Sequence, residues 1–120
     1  MNISLNAKQY ENLSPSARAM VEEKLAPVAR LLGEHEATAL LDVELAEAPA
    51  EGRSATPTRL TATLTFGSEV ARAEAVKPTP ESAADRVRAM LEAEVRRRRG
   101  KEGAWRRSAR RAKDWLRFGR

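Results

Sequence analysis

The chain has no cysteine. That rules out disulfides, thiolate metal sites and cysteine nucleophiles, and fits a reducing cytoplasm. Aromatic residues make up only 4% of its 120 residues, so a core has to be built from Ala, Val, Leu, Ile and Met. One length of this size suits one domain rather than two. No segment approaches the roughly 20 apolar residues that span a bilayer. The opening residues, MNISLNAKQYENL, lack both a basic stretch and an unbroken apolar run, so they do not read as a signal peptide. The glycine patterns that cradle nucleotide phosphates, GxxxxGK[ST] and GxGxxG, are missing as well.

Charge is plentiful and unevenly placed. Residues 86–120 hold fourteen of the 22 Lys and Arg residues but only four of the 17 acids, a net of +10, whereas residues 1–85 carry −5. A mildly acidic body thus ends in a strongly cationic segment. The isoelectric point near 10.2 points to anionic partners, nucleic acid first and acidic lipid second.

Hydrophobic periodicity gives the elements. Residues 1–6 alternate, with Met1, Ile3 and Leu5 on one side, as in a half-buried strand. Ser14 followed by Pro15 reads as an N-cap and first helical residue. Ala17, Met20, Val21, Leu25, Val28, Leu31 and Leu32 then form a helical stripe ending at Gly33. Pro27 interrupts the helix pattern and predicts a kink near Glu23–Pro27 with the stripe continuing beyond it, two separate short helices being the alternative. Residues 37–47 alternate again, with Ala39, Leu41, Val43 and Leu45 inward. Residues 48–57 read as a loop. Residues 58–66 give the clearest strand, with Leu60, Ala62, Leu64 and Phe66 inward. Gly67-Ser68 predicts a hairpin turn into a strand at 69–77 with Ala71, Ala73 and Ala75 on its inner face. Thr79-Pro80-Glu81 opens a second helix lined by Ala83, Ala84, Val87, Met90, Leu91 and Val95. Gly100 and Gly103 then read as punctuation before a third, amphipathic helix at 104–118.

The implied fold is α+β: a two-layer β-α-β-β-β-α arrangement, with a four-stranded mixed sheet, two helices on one face and a basic C-terminal tail. The expected division is a domain over residues 1–101 and a Trp/Arg-containing tail over 102–120, helical or disordered.

Enzymatic chemistry finds little support. His35, the only histidine, follows a helix end between Glu34 and Glu36 with no nucleophile beside it, and reads as a solvated loop residue. Carboxylate pairs such as Glu22-Glu23 sit where exposed faces need charge. No catalytic residue, metal site, cofactor or small-molecule substrate is expected. The second helix differs, because Arg86, Arg88, Arg96, Arg97, Arg98, Arg99 and Lys101 extend from its side and end. Glu92 lies four residues from both Arg88 and Arg96 and can pair with either. Four consecutive arginines, however, exceed what stabilising a helix end requires, and arginine grips phosphate oxygens bidentately. In the tail, Trp105 and Trp115 alternate with Arg106, Arg107, Arg110, Arg111, Lys113 and Arg117. This pattern suits stacking on bases and gripping phosphates, docking on the domain's own core, lying on an anionic membrane, or folding only on binding.

The layout resembles the ribosome hibernation-promoting factor family, also called ribosome-associated inhibitor or sigma-54 modulation proteins. The resemblance is carried by the opening through VEEKL (Val21 to Leu25), by ARAEA (Ala71 to Ala75) and by Asp85, and covers residues 1–101. It implies a protein that binds the small ribosomal subunit at the decoding region, in the path of messenger and transfer RNA, and silences idle ribosomes. It assigns RNA contacts to Arg18, Lys24 and Arg30 on the first helix, and to Arg86, Arg88, Arg96, Arg97, Arg98, Arg99 and Lys101 on the second. Three features depart from the family pattern. Ser82-Ala83-Ala84 stand where a tyrosine is usual. Pro27, Glu22 and Glu23 weaken the first helix's RNA face. The long members' C-terminal dimerisation domain has no counterpart, so ribosome pairing through it is not expected. The reading is therefore a cytoplasmic, non-enzymatic ribosome-binding inhibitor of translation, monomeric or weakly dimeric. The alternatives are a general nucleic-acid binder, or a regulatory protein whose tail docks a membrane or a partner protein.

Overall fold

The computed structural model describes residues 1–9, 14–48 and 57–118, with side chains at 1–7, 14–48 and 57–100. The elements are β1 (Asn2–Gln9), α1 (Pro15–Leu25), two 3-10 helices (Ala26–Leu31 and Gly33–Thr38), β2 (Leu40–Glu47), β3 (Thr58–Phe66), β4 (Glu69–Lys77) and α2 (Pro80–Phe118). Most of the expected loop at 48–57 lies outside the described residues.

The strands form one sheet in the order β1-β2-β3-β4. β1 and β2 are parallel, joined through α1, while β2-β3 and β3-β4 are antiparallel. Alternation decides the faces. Leu41, Val43, Leu45, Leu60, Ala62, Leu64, Phe66, Ala71, Ala73 and Ala75 are buried under the helices, together with Val21, Leu25, Val28 and Leu32 from the first helical segment and Val87, Leu91 and Val95 from α2. The opposite face, including Asp42, Glu44, Arg72 and Glu74, is open to solvent. The three inward alanines of β4 let α2 approach the sheet closely.

Capping sets the helix starts. The Ser14 hydroxyl accepts the Ala17 amide at 3.1 Å, with Pro15 at the first position. At α2, the Thr79 hydroxyl accepts the Ser82 amide at 3.2 Å and the Ser82 hydroxyl accepts the Thr79 amide at 3.3 Å, a reciprocal cap.

Four sequence expectations need correction. Pro27 does not kink a continuing α-helix: α1 stops at Leu25 and the chain tightens into a 3-10 helix, a conformation that tolerates the lost amide. The apolar stripe survives this change through Val28 and Leu32, both fully buried. Met20 does not belong to the stripe and is 42% exposed. Residues 37 and 38 are not strand, because the second 3-10 helix occupies Gly33–Thr38 before β2 begins; Ala39 is buried nonetheless. Finally, Gly100 and Gly103 do not divide the C-terminal region. α2 runs through both as one 39-residue helix, since an interior glycine costs only about 1 kcal/mol and does not forbid helix.

His35 also differs from a solvated loop residue. It lies within the second 3-10 helix, with its side chain 23% exposed. Its ring centroid is 6.1 Å from that of Phe66. Gly67, at φ 56°, presents no side chain to it; a Cβ there would come within 2.9 Å of the imidazole.

A candidate nucleic-acid interface on the long helix

Three sides of α2 follow from its spacing. Ala84, Val87, Leu91 and Val95 recur at three and four residues and are buried on the core side. One flank faces α1 and the 3-10 helices. The other lies toward the start of β4. Most of the expected RNA-contacting residues divide among the flanks and the outward side, in quite different settings.

On the α1 flank, Lys24 reaches across to Asp85, with Nζ 3.0 Å from both carboxylate oxygens. Beside this pair runs an open groove of about 490 Å³ lined by Met20, Glu23, Lys24, Pro27, Asp85 and Arg88. Arg88 and Arg96 share Glu92, at 4.0 and 3.9 Å, as the four-residue spacing predicts. Further along, the Arg99 guanidinium donates to the Leu32 carbonyl at 2.8 Å. It lies against Gly33, where a Cβ would approach it to 3.0 Å. Arg99 thus adds a second donor to a carbonyl that already accepts the His35 amide at 3.0 Å, where one 3-10 helix gives way to the next.

On the β4 flank, Arg98 donates to Glu69 at 2.7 Å and lies 3.4 Å from Glu94. Arg97 donates to Glu94 at 2.8 Å. That bond holds the Glu94 carboxyl below its ordinary range, and the same bond raises Arg97 above its own. Arg98 and Arg99 are both partly buried, so these two fasten α2 to the body.

The outward side is different. Arg86 is exposed with no ion pair among the described residues. Arg96 and Arg97 have 66% and 49% of their side chains exposed. Their contacts with glutamates are solvent-exposed surface pairs, which a stronger anion can displace. Away from α2, Arg30 is exposed on the first 3-10 helix. Arg18 is exposed on α1 and donates to the Leu5 carbonyl of β1 at 3.4 Å.

The structure therefore leaves Arg86, Arg96 and Arg97 as accessible cations along one side of α2, ties Lys24 to Asp85, and uses Arg98 and Arg99 for packing. The side chains of Lys101, Trp105, Arg106, Arg107, Arg110, Arg111 and Trp115 lie outside the described residues. The role of Glu69 had no local signal, because it stands 29 residues from Arg98; Glu94 was legible as a neighbour three residues from Arg97. Chemically, the outward side can neutralise phosphates by multidentate hydrogen bonding. Among the described residues, no group of three or more His, Cys, Asp or Glu could hold a metal ion. No described helix is long and apolar enough to cross a membrane.

Comparison with known proteins agrees with this layout. Residues 3–102 match the family model described as sigma 54 modulation protein / S30EA ribosomal protein. The crystal structure of the Thermus thermophilus Protein Y N-terminal domain is similar, with 26% identity and a TM-score of 0.65 over 81% of this chain and 98% of that one. A ribosomal subunit interface protein from Coxiella burnetii shares the fold, with 14% identity and a TM-score of 0.66 over 83% and 99% of the two chains. No individually curated protein matches the chain by sequence.

Proposed function

Since the chain belongs to the sigma-54 modulation protein / S30EA ribosomal protein family, we propose that it is a non-enzymatic protein that binds the small ribosomal subunit, occupies its decoding region and inhibits translation. The observation that carries this reading is the outward side of α2. Arg86, Arg96 and Arg97 stand exposed there, on the family's own fold. The description of one protein with the same fold, a ribosomal subunit interface protein, is consistent with it.

The mechanism is steric. Arginines on α2, with Arg18 and Arg30 from the first helical segment, neutralise ribosomal RNA phosphates and hold the domain where messenger and transfer RNA would pass. No group is transferred and no cofactor is required. The site of action is the cytoplasm, where ribosomes work, and the protein acts as a monomer or weak dimer. Arg88 sits in the groove between the helices, sharing Glu92 with Arg96, and contributes to the RNA face once Glu92 is displaced. Lys24, Arg98 and Arg99 act chiefly by setting the shape of that face.

Co-sedimentation tests the reading. The protein should travel with isolated small subunits at low salt, leave them at high salt, and slow translation in a purified system only while bound. Sedimentation with large subunits alone, or binding without any effect on messenger or transfer RNA occupancy, would contradict it.

A further inference from the structure

The family match ends at residue 102, yet α2 continues without a break to Phe118. On the body, its outward side presents Arg86, Ala89, Ala93, Arg96, Arg97 and Gly100, all exposed. At 3.6 residues per turn these positions share an arc of about 100°. The same arc, carried on at the same pitch, takes in positions 104, 107, 111, 114, 115 and 118, which are Ala, Arg, Arg, Asp, Trp and Phe. Between residues 86 and 111 it holds five arginines and no acid. At 1.5 Å per residue it is about 38 Å long.

Two features keep the arc in phase. The helix is continuous, and Arg98 and Arg99 fasten it to Glu69 and to the Leu32 carbonyl, about one turn before the family match ends. The rotational setting of the body part therefore determines that of the extension. The residues between the arginines are small. Gly100 has open space where a Cβ would stand, so a polyanion can approach the backbone closely.

We propose that residues 86–111 of α2 form one continuous RNA-binding track, in which the extension beyond residue 102 lengthens the ribosomal contact made by the body. This deepens the ribosome-binding reading and rests on it. RNA fits this arc better than a membrane does. The apolar positions of the extension, Trp105, Ala109, Ala112 and Leu116, continue the heptad steps of Leu91 and Val95. They therefore fall in register with the side of α2 that packs on the sheet. The arc itself offers only Arg, Ala and Gly between residues 86 and 111, with no large apolar side chain to insert into a bilayer.

The chain's only two tryptophans are Trp105 and Trp115, so its tryptophan emission reports on the extension alone. The full-length protein is titrated with purified small-subunit ribosomal RNA, which contains no tryptophan. Emission should change over the same concentration range as binding measured by filter retention. Replacing Arg107 and Arg111 by Gln in the full chain should leave helix content by circular dichroism unchanged. It should also reduce the slope of log K against log salt by about 1.4, at about 0.7 per lost phosphate contact. Binding with unaltered emission, together with an unaltered slope in this variant, overturns the proposal. Emission changes caused by phosphatidylglycerol vesicles but not by RNA overturn it in favour of a membrane role. If the RNA results appear as expected but the protein fails to sediment with small subunits, the ribosome reading falls and the track stands. If it sediments with subunits regardless of Arg107 and Arg111, the reading stands and the track falls.

Discussion

The four consecutive arginines at 96–99 differ in what they touch, and that difference makes them separable by mutation. Arg99 donates to the Leu32 carbonyl at 2.8 Å, and Arg98 bonds Glu69 at 2.7 Å. A charged hydrogen bond of this kind is worth about 1.5–3 kcal/mol. Arg99→Ala should therefore lower unfolding stability in urea by about 1.5 kcal/mol or more. Arg96→Gln and Arg97→Gln, which alter only surface pairs, should each leave the urea midpoint close to the parent's while weakening RNA binding. Equal stability losses at all four positions would show that the packing roles are misassigned. In the sequence these arginines look alike, because the partners that distinguish them, Leu32 and Glu69, lie 67 and 29 residues away. Glu94 makes a pH prediction. Its folded-state pKa is lowered from the usual 4.5, first by the Arg97 hydrogen bond. The stabilisation is therefore fully present above the unfolded value and is lost as pH falls through the folded one. A plot of melting temperature against pH should consequently have a shallower acid limb in Glu94→Gln than in the parent. Identical limbs would contradict this.

At the scale of elements, alternation located β3 and β4 to the residue, because one face of each strand is buried and the other wet. The hairpin followed from Gly67-Ser68, whose glycine takes φ 56°. Helix identity was harder to read. Pro27 signalled an interruption, but whether the chain kinks or changes to 3-10 is decided by packing Val28 and Leu32 into the core, which is a tertiary effect. Gly100 misled as punctuation because a glycine reads the same at a helix end and inside a helix. Replacing it by Ala separates the two cases. In a continuous helix with open space at that position, Gly100→Ala should stabilise by about 1 kcal/mol, raising the melting temperature by roughly 3–5 °C. At a helix terminus with positive φ, the same change would lower it. The small-residue face of β4 gives a second check. Ala73 is 3% exposed in the sheet beneath the helices, so Ala73→Leu should overpack the interface and cost about 1–3 kcal/mol. A neutral result would mean that α2 packs on β4 less closely than described.

At the scale of the molecule, a body of net charge −5 carries a segment of net charge +10. Such a charge distribution orients encounters with a polyanion, since one end is attracted and the other repelled. The sequence revealed this asymmetry and, through the element order, the fold. It could not show which cations face outward, because that depends on how α2 is fastened to the sheet and the 3-10 helices. The most direct test of the account is the affinity of the full-length protein for purified small ribosomal subunits as salt is varied. With six or more phosphates neutralised, log K should fall against log salt with a slope of about −4 or steeper, and less steeply when Arg86, Arg96 and Arg97 are changed to Gln. An affinity that does not vary with salt, or a slope unaffected by those three substitutions, would contradict it.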